Sequence, residues 1–180
     1  IATGGTVLAT KLALNYGIAC NTAGGSHHAT SNEGAGFCVF NDVAVAAKYL
    51  TSRGLANKIL IIDLDVHQGN GNSEIFKNDN QVFTFSMHSK VNYPAKKSVS
   101  DLDIELEENL EDREYIDILK NNLKYLNEEE FDFVFYIAGV DIHYNDRLGK
   151  LKISDNGIFE RDELVIDNFF SNKILSLIHI

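Results

Sequence analysis

The sequence predicts an α/β protein built on a parallel sheet with helices on both faces. Two apolar runs, residues 58–62 and 132–138, are continuous and rich in β-branched or aromatic side chains, as strands buried on both faces must be. Stretches with helical spacing separate the strand candidates, and that alternation indicates parallel pairing through right-handed crossovers. The 180 residues are 44% hydrophobic and 23% charged, with no repeats, low-complexity tracts or Pro/Gly/Ser linker, which fits one domain with a sizeable core.

In chain order, Gly4 and Gly5 precede a helix over residues 6–16 that Gly17 stops, and residues 18–21 read as a short strand. Asn41 is suited to cap a helix over 42–53, whose stripe includes Val43, Ala46, Ala47 and Leu50, before Gly54. The strand running into Asp63 follows, and residues 82–86 form another. Leu102, Ile104 and Leu106 alternate with acids, as in a half-exposed strand. Residues 112–126 place Tyr115, Ile116, Leu119, Leu123 and Leu126 at helical spacing, and the strand over 132–138 comes next.

A formal net charge of −10 argues against a broad nucleic-acid footprint, which needs a basic face, and favours cationic partners. Nine acids and one base, Arg113, fall between Asp101 and Asp117. They read either as a solvated face or as a docking surface for a basic peptide; Glu111, Asp112 and Glu114 suit a helix N-terminus. Cys20 and Cys38 lack a paired spacing and read as buried thiols of a reducing compartment. No apolar stretch reaches the roughly 20 residues of a membrane span. The expectation is an intracellular protein, cytoplasmic or nuclear, with no secretion signal, membrane association or direct nucleic-acid binding. The chain starts at Ile1 and its only methionine is Met87, so it is expected to be a fragment.

Chemistry concentrates at strand ends. In Asp63-Leu64-Asp65-Val66-His67, strand alternation sends Asp63, Asp65 and His67 to one side, at the carboxyl end where open α/β sheets hold ligands. Gly24-Gly25-Ser26-His27-His28 follows an earlier strand; adjacent histidines there suit flanking a metal-bound water, although alone they would also suit a polar-packed or surface pair. Ala138-Gly139-Val140-Asp141 ends another strand in a carboxylate, which alone could equally be a cap or turn former. Together, Asp65, Asp141 and His67 offer two oxygens and one nitrogen and leave a catalytic zinc an open position.

Taken in order, His27-His28, Gly36-Phe37-Cys38, Asn41-Asp42-Val43, Asp63-Leu64-Asp65-Val66-His67-Gln68-Gly69-Asn70-Gly71 and Ala138-Gly139-Val140-Asp141 resemble the zinc-dependent histone deacetylase family, with its arginase/deacetylase-like fold. The resemblance runs over residues 4–165, so 1–180 reads as a partial, incomplete deacetylase catalytic domain with a divergent or truncated end at 166–180. Gln68 and Asn70, Asp146-Arg147-Leu148-Gly149 and Arg161-Asp162-Glu163-Leu164-Val165 look most like the class IV branch. Acetylpolyamine amidohydrolases and acetoin-utilisation proteins share the core motifs. Arginases would show a second metal-binding Asp-x-Asp element, which Asp141-Ile142-His143 does not supply.

The resemblance implies hydrolysis of acyl-lysine amides in protein or peptide substrates. Zinc on Asp65, His67 and Asp141 would polarise the acyl carbonyl and acidify the attacking water. His28 would take the water's proton, His27 would help hold the developing charge, and Asp63 would fix His27. Asn70 stands where many deacetylases carry an Asp, a departure that disfavours protonated His28. Gly36, Phe37, Tyr93 and Gly139 resemble the channel that grips the acyl-lysine stem, with Pro94 shaping its loop; for Phe37, core packing is the alternative. Ser86 and Met87, with Asp63, Asp65 and His67, align with backbone positions that hold a monovalent cation such as K+ in relatives. His88 and His143 read as structural or surface histidines. Relatives continue into a strand and a Gly-Gly-Tyr element whose tyrosine donates to the oxyanion, and residues 166–180 contain no tyrosine. Two other readings therefore stand beside the hydrolase: a catalytically silent acyl-lysine-binding domain, and a small-molecule amidohydrolase.

Overall fold

The computed structural model describes residues 1–169 and 173–177. In chain order its elements are α1 (Ala2–Tyr16), β1 (Ile18–Asn21), α2 (Asp42–Ser52), β2 (Ile59–Asp63), α3 (Asn70–Phe76), β3 (Val82–Ser89), β4 (Leu102–Leu106), α4 (Asp112–Leu126), β5 (Phe133–Ile137), α5 (Asp155–Asn168) and β6 (Lys173–Leu177). The strands form one sheet in the order β1-β6-β5-β2-β3-β4, with every pairing parallel. All strands therefore end on the same edge. In register, Asp63 at the end of β2 lies level with Ile137 of β5 and Ser86 of β3.

The unbroken apolar runs are explained by helices on both faces. Ile59 and Ile61 of β2 and Phe133, Phe135 and Ile137 of β5 pack with α1 and α2 through Ala9, Ala13, Val43, Ala47 and Leu50. The alternate residues Leu60, Ile62, Val134 and Tyr136 face α4 and α5, meeting Tyr115, Ile116, Leu119, Leu123 and Val165. Each fully buried aliphatic side chain on these faces contributes about 1.5–3 kcal/mol relative to exposure.

Local signals set several boundaries. Asn41 caps α2, its Oδ1 accepting the Ala44 N–H at 2.8 Å, and α4 spans the residues its stripe predicts. The first helix differs: it begins at Ala2 and takes in both glycines. Tertiary contacts hold that turn, because Thr6 Oγ1 bonds the Asp42 carboxylate and accepts from Asn21 Nδ2 at 2.8 Å. They outweigh the roughly 1 kcal/mol that a glycine costs inside a helix. β3 extends three residues past Ser86, to Ser89. Two helices, α3 and α5, were not legible from spacing alone, and β6 falls in the stretch read as a divergent end, between β1 and β5.

The acid run divides. Asp101 accepts from Thr84 N and Oγ1 at 2.7 and 2.8 Å, Asp103 from Ser100 N at 2.7 Å, and Asp112 from Ser154 N at 2.7 Å, tying α4 to the start of α5. Glu105, Glu107, Glu108, Glu111, Glu114 and Asp117 are solvent-exposed. Neither cysteine is in a disulfide, but only Cys38 is buried; Cys20 is exposed on β1, contrary to the sequence expectation. Among the described residues no helix is long and apolar enough to cross a membrane.

Candidate metal centre

The sheet brings β2 and β5 side by side, and the site grows from where their ladder stops. The last bond is Leu64 N–H to Ile137 O at 3.0 Å. Residues 65–67 then bend rather than continue as strand, so the convergence of Asp65 and His67 does not come from strand alternation. Side chain to backbone hydrogen bonds replace it. Asp63 Oδ1 accepts from Asp65 N at 3.2 Å, Asp65 Oδ1 from His67 N at 2.8 Å, and Asp141 Oδ1 from Val66 N at 3.0 Å. The folded turn draws the potential ligand atoms of Asp65, His67 and Asp141 to within 4.8 Å of one another. His67 Nδ1 lies 3.0 Å from Asp65 Oδ1 and 2.9 Å from Asp141 Oδ2.

A metal ion fits this donor set. Asp65 Oδ2 is buried with no hydrogen-bond partner among the described residues, an expensive state for a carboxylate oxygen unless a cation is held there. Gly139 makes room for it, since a Cβ at that position would sit 2.4 Å from Asp65 Oδ2.

The dyad is held from below. His27 is fully buried, its Nδ1 2.6 Å from Asp63 Oδ2, and its Nε2 faces Asp65 Oδ1 at 3.8 Å. His28 Nδ1 lies 2.8 Å from Asn70 Oδ1. An amide oxygen can only accept, so Nδ1 carries the proton and Nε2 keeps its lone pair. The loop itself hangs on α2: Asp42 accepts from Gly25 N at 3.1 Å and Ser26 N at 2.7 Å, and Asn41 Nδ2 donates to Ala29 O at 3.1 Å and Asn72 Oδ1 at 2.8 Å. From α3, Gly71 N donates to His27 O at 3.0 Å.

The two histidines differ electrostatically. Burial opposes charge on His27, yet the carboxylates of Asp63 and Asp65 push its pKa up to about 9. Burial raises the Asp63 carboxyl above its ordinary range, against the pull of His27. Burial and the charge on His27 push His28 down to about 3, more than the Asn70 bond restores. Burial likewise opposes charge on His67, but Asp141 and Asp65 push it up to about 10. Metal-free, His67 bridges two carboxylates as a cation; a metal ion would take the place of that proton.

The remaining predicted residues divide between loops near His28 and the interior. Gly36 has φ 51°, and a Cβ there would come within 2.3 Å of His28 Cδ2. Phe37 is wholly exposed, which removes the core-packing alternative. Tyr93, partly exposed, meets the His28 ring edge-on at 4.8 Å. Its loop is tied to the site through Gln68, whose backbone N donates to Tyr93 O at 3.2 Å and whose buried side chain pairs with Ser98 and Asp103. His88 is buried, with Nδ1 2.9 Å from Ser86 Oγ, and burial lowers its pKa to about 4. His143 lies beside Tyr144, its Nε2 3.3 Å from Asp155.

Two contributors had no role assigned from sequence. Asp42 appeared only within a motif, although an acid at the first position of a helix facing a glycine-rich loop is a signal for backbone capture. Arg161 appeared only as part of a family-like stretch. Its signal was a cation on the apolar stripe of Ile158 and Val165.

Residues 1–179 match the family model of the histone deacetylase domain. An uncharacterized protein of Picosynechococcus sp. (strain ATCC 27264 / PCC 7002 / PR-6) is 53% identical over 166 residues, covering 92% of this chain and 55% of that protein. Histone deacetylase 2 of Arabidopsis thaliana is 38% identical over 180 residues, covering 97% of this chain and 46% of that protein. The crystal structure of an HDAC homolog from Aquifex aeolicus superposes with a TM-score of 0.86 at 29% identity, covering 98% of this chain and 51% of the other. The chain thus spans about half the length of the relatives it matches. By the extent of the domain match and by its fold, the chain belongs to the histone deacetylase family.

Proposed function

We propose that this chain carries the metal-binding half of a zinc-dependent hydrolase, of class IV-like type, that cleaves acyl-lysine amides in protein or peptide substrates. The observation that carries the reading is the juxtaposition of the Asp65, His67 and Asp141 triad with a histidine, His28, whose Nε2 is unprotonated. Zinc held by the triad supplies Lewis acidity to the acyl carbonyl and acidifies the attacking water. Burial and the charge on His27 hold His28 neutral, and the Asn70 bond orients the ring with Nε2 free to accept a proton. His27 remains a donor fixed by Asp63, suited to hold negative charge that develops beside it. Tyr93 and Gly36 lie against His28, and they, with the neighbouring Phe37 and with Gly139 against Asp65, are assigned to the grip on the lysine stem. A monovalent cation such as K+, implied by the family resemblance alone, is assigned to main-chain carbonyls near Asp63 and Ser86, which lie level in the sheet. The net charge of −10 suits a cationic peptide, and two cysteines outside any disulfide suit a reducing compartment, cytoplasm or nucleus.

The test is hydrolysis of a peptide panel running from acetyl-lysine to palmitoyl-lysine by the zinc-loaded full-length protein. Expected is release of free lysine side chains, abolished by a chelator, restored by zinc and absent from Asp141→Ala. A folded, zinc-loaded protein that cleaves none of the panel overturns the proposal.

A further inference from the structure

Among the described residues the sheet holds β5 as far as Ile137, whose carbonyl takes the last ladder bond from β2, donated by Leu64. Beyond that point the chain must still set Gly139 against Asp65 and deliver Asp141 to the triad. Arg161 of α5 lies where the ladder runs out. Its side chain is fully buried, Nη1 donates to Gly139 O at 2.6 Å, and Nη2 reaches toward Ala138 O at 3.4 Å. Nε and Nη2 both lie 2.8 Å from Asp162 Oδ1, which also accepts from Tyr136 Oη at 2.5 Å. The guanidinium carbon stands 5.9 Å over the Tyr136 ring.

A buried guanidinium is costly unless its donors are satisfied, and an apolar side chain would fill a helix stripe more cheaply. Here the planar fork is used on consecutive main-chain carbonyls at the end of a central strand, a recognition that a single ammonium cannot reproduce. Asp162 offsets the charge, so what Arg161 supplies is geometry. We infer that Arg161 is a positioning residue of the metal centre: by holding the Ala138 and Gly139 carbonyls it keeps Gly139 pressed on Asp65 and aims Asp141 at the metal. The inference rests on the reading of Asp65, His67 and Asp141 as metal ligands.

The experiment measures zinc affinity of the metal-free full-length protein by competition with a chromogenic chelator, alongside its metal-free melting temperature. Arg161→Met is expected to lower affinity by roughly 10- to 100-fold, the usual effect of removing a partner that orients a ligand. Arg161→Lys, which keeps the charge but not the fork, should show a smaller loss. Leu123→Ala, a core truncation in α4, should lower the melting temperature and leave the affinity unchanged. Wild-type affinity in folded Arg161→Met overturns the inference; if that variant does not fold, wild-type affinity in Arg161→Lys does so. An equal affinity loss in Leu123→Ala also overturns it, by showing that general loosening is enough. Asp141→Ala separates the two levels: wild-type affinity there removes the ligand reading itself, whereas lost affinity there with none lost at Arg161 removes only the positioning role.

Discussion

The floor of the site and its rim are held in different ways. At the floor, Asp63, Asp65 and His27 are buried, and each is fixed by a strand end or by hydrogen bonds to neighbouring backbone. At the rim, Phe37 is wholly exposed and Tyr93 partly so, carried by loops that cross-links such as Gln68 to Ser98 and Asn92 to Leu148 tie down. A sheet edge places charged groups accurately because its register is shared among several strands. A loop places a ring only as well as its few tethers allow. Chemistry should therefore be sensitive to the floor, and selectivity to the rim.

The largest expected effect is on the proton acceptor. In the full-length enzyme, His28→Ala should lower turnover by about 10²- to 10⁴-fold. Asn70→Asp should do far less, because it retains an acceptor for the His28 Nδ1 proton. Steady-state rates for the two variants decide this, and comparable losses would mean His28 does not accept the proton.

Next comes the layer beneath. Ile62→Ala empties a wholly buried position one residue before Asp63 and should cost about 2–5 kcal/mol by urea denaturation. A cost under about 0.5 kcal/mol would show that the floor is not rigidly packed.

A third test uses pH. His27 and His67, raised from 6.5 to about 9 and about 10, bind their protons more tightly when folded. That stability is complete below pH 6.5 and drains away as pH rises through 9 to 10. His28, lowered to about 3, removes stability as pH falls from 6.5. The metal-free protein should accordingly melt highest near pH 6.5, while zinc should bind more tightly at higher pH because His67 must release its proton. A metal-free melting temperature that is flat or rising from pH 6.5 to 9 contradicts these assignments.

The smallest structural effect belongs to the rim. Phe37→Ala should change stability by no more than about 0.5 kcal/mol, since the ring is fully exposed. It should raise KM for acyl-lysine peptides with little change in kcat. An unchanged KM would remove Phe37 from the substrate path.

Much of the fold was legible in the chain because the relevant forces are local or repetitive. Continuous apolar runs announced β2 and β5, the Asn41 cap announced α2, and a heptad-like stripe announced α4. Two other helices were not: α3 begins within a motif rich in Gly and Asn, and α5 carries a buried Arg on its apolar stripe, so each contradicts the pattern that identifies a helix. The glycines of α1 misplaced its start for the same reason, their local cost being overridden by Asn21 and Asp42.

At the site, the sequence by itself determined which groups are available: carboxylates and imidazoles at strand ends, in an order specific enough to indicate the family. Only the tertiary structure decided how they meet. Parallel pairing set β5 beside β2 and so brought Asp141 to Asp65 across 76 positions of chain, within hydrogen-bonding reach of Val66 and His67. The bend after Asp63, the capture of the dyad loop by Asp42 and the clamp of Arg161 on Gly139 depend on backbone groups that every residue carries. Those groups leave no mark in the sequence, because what selects among them is proximity created by folding.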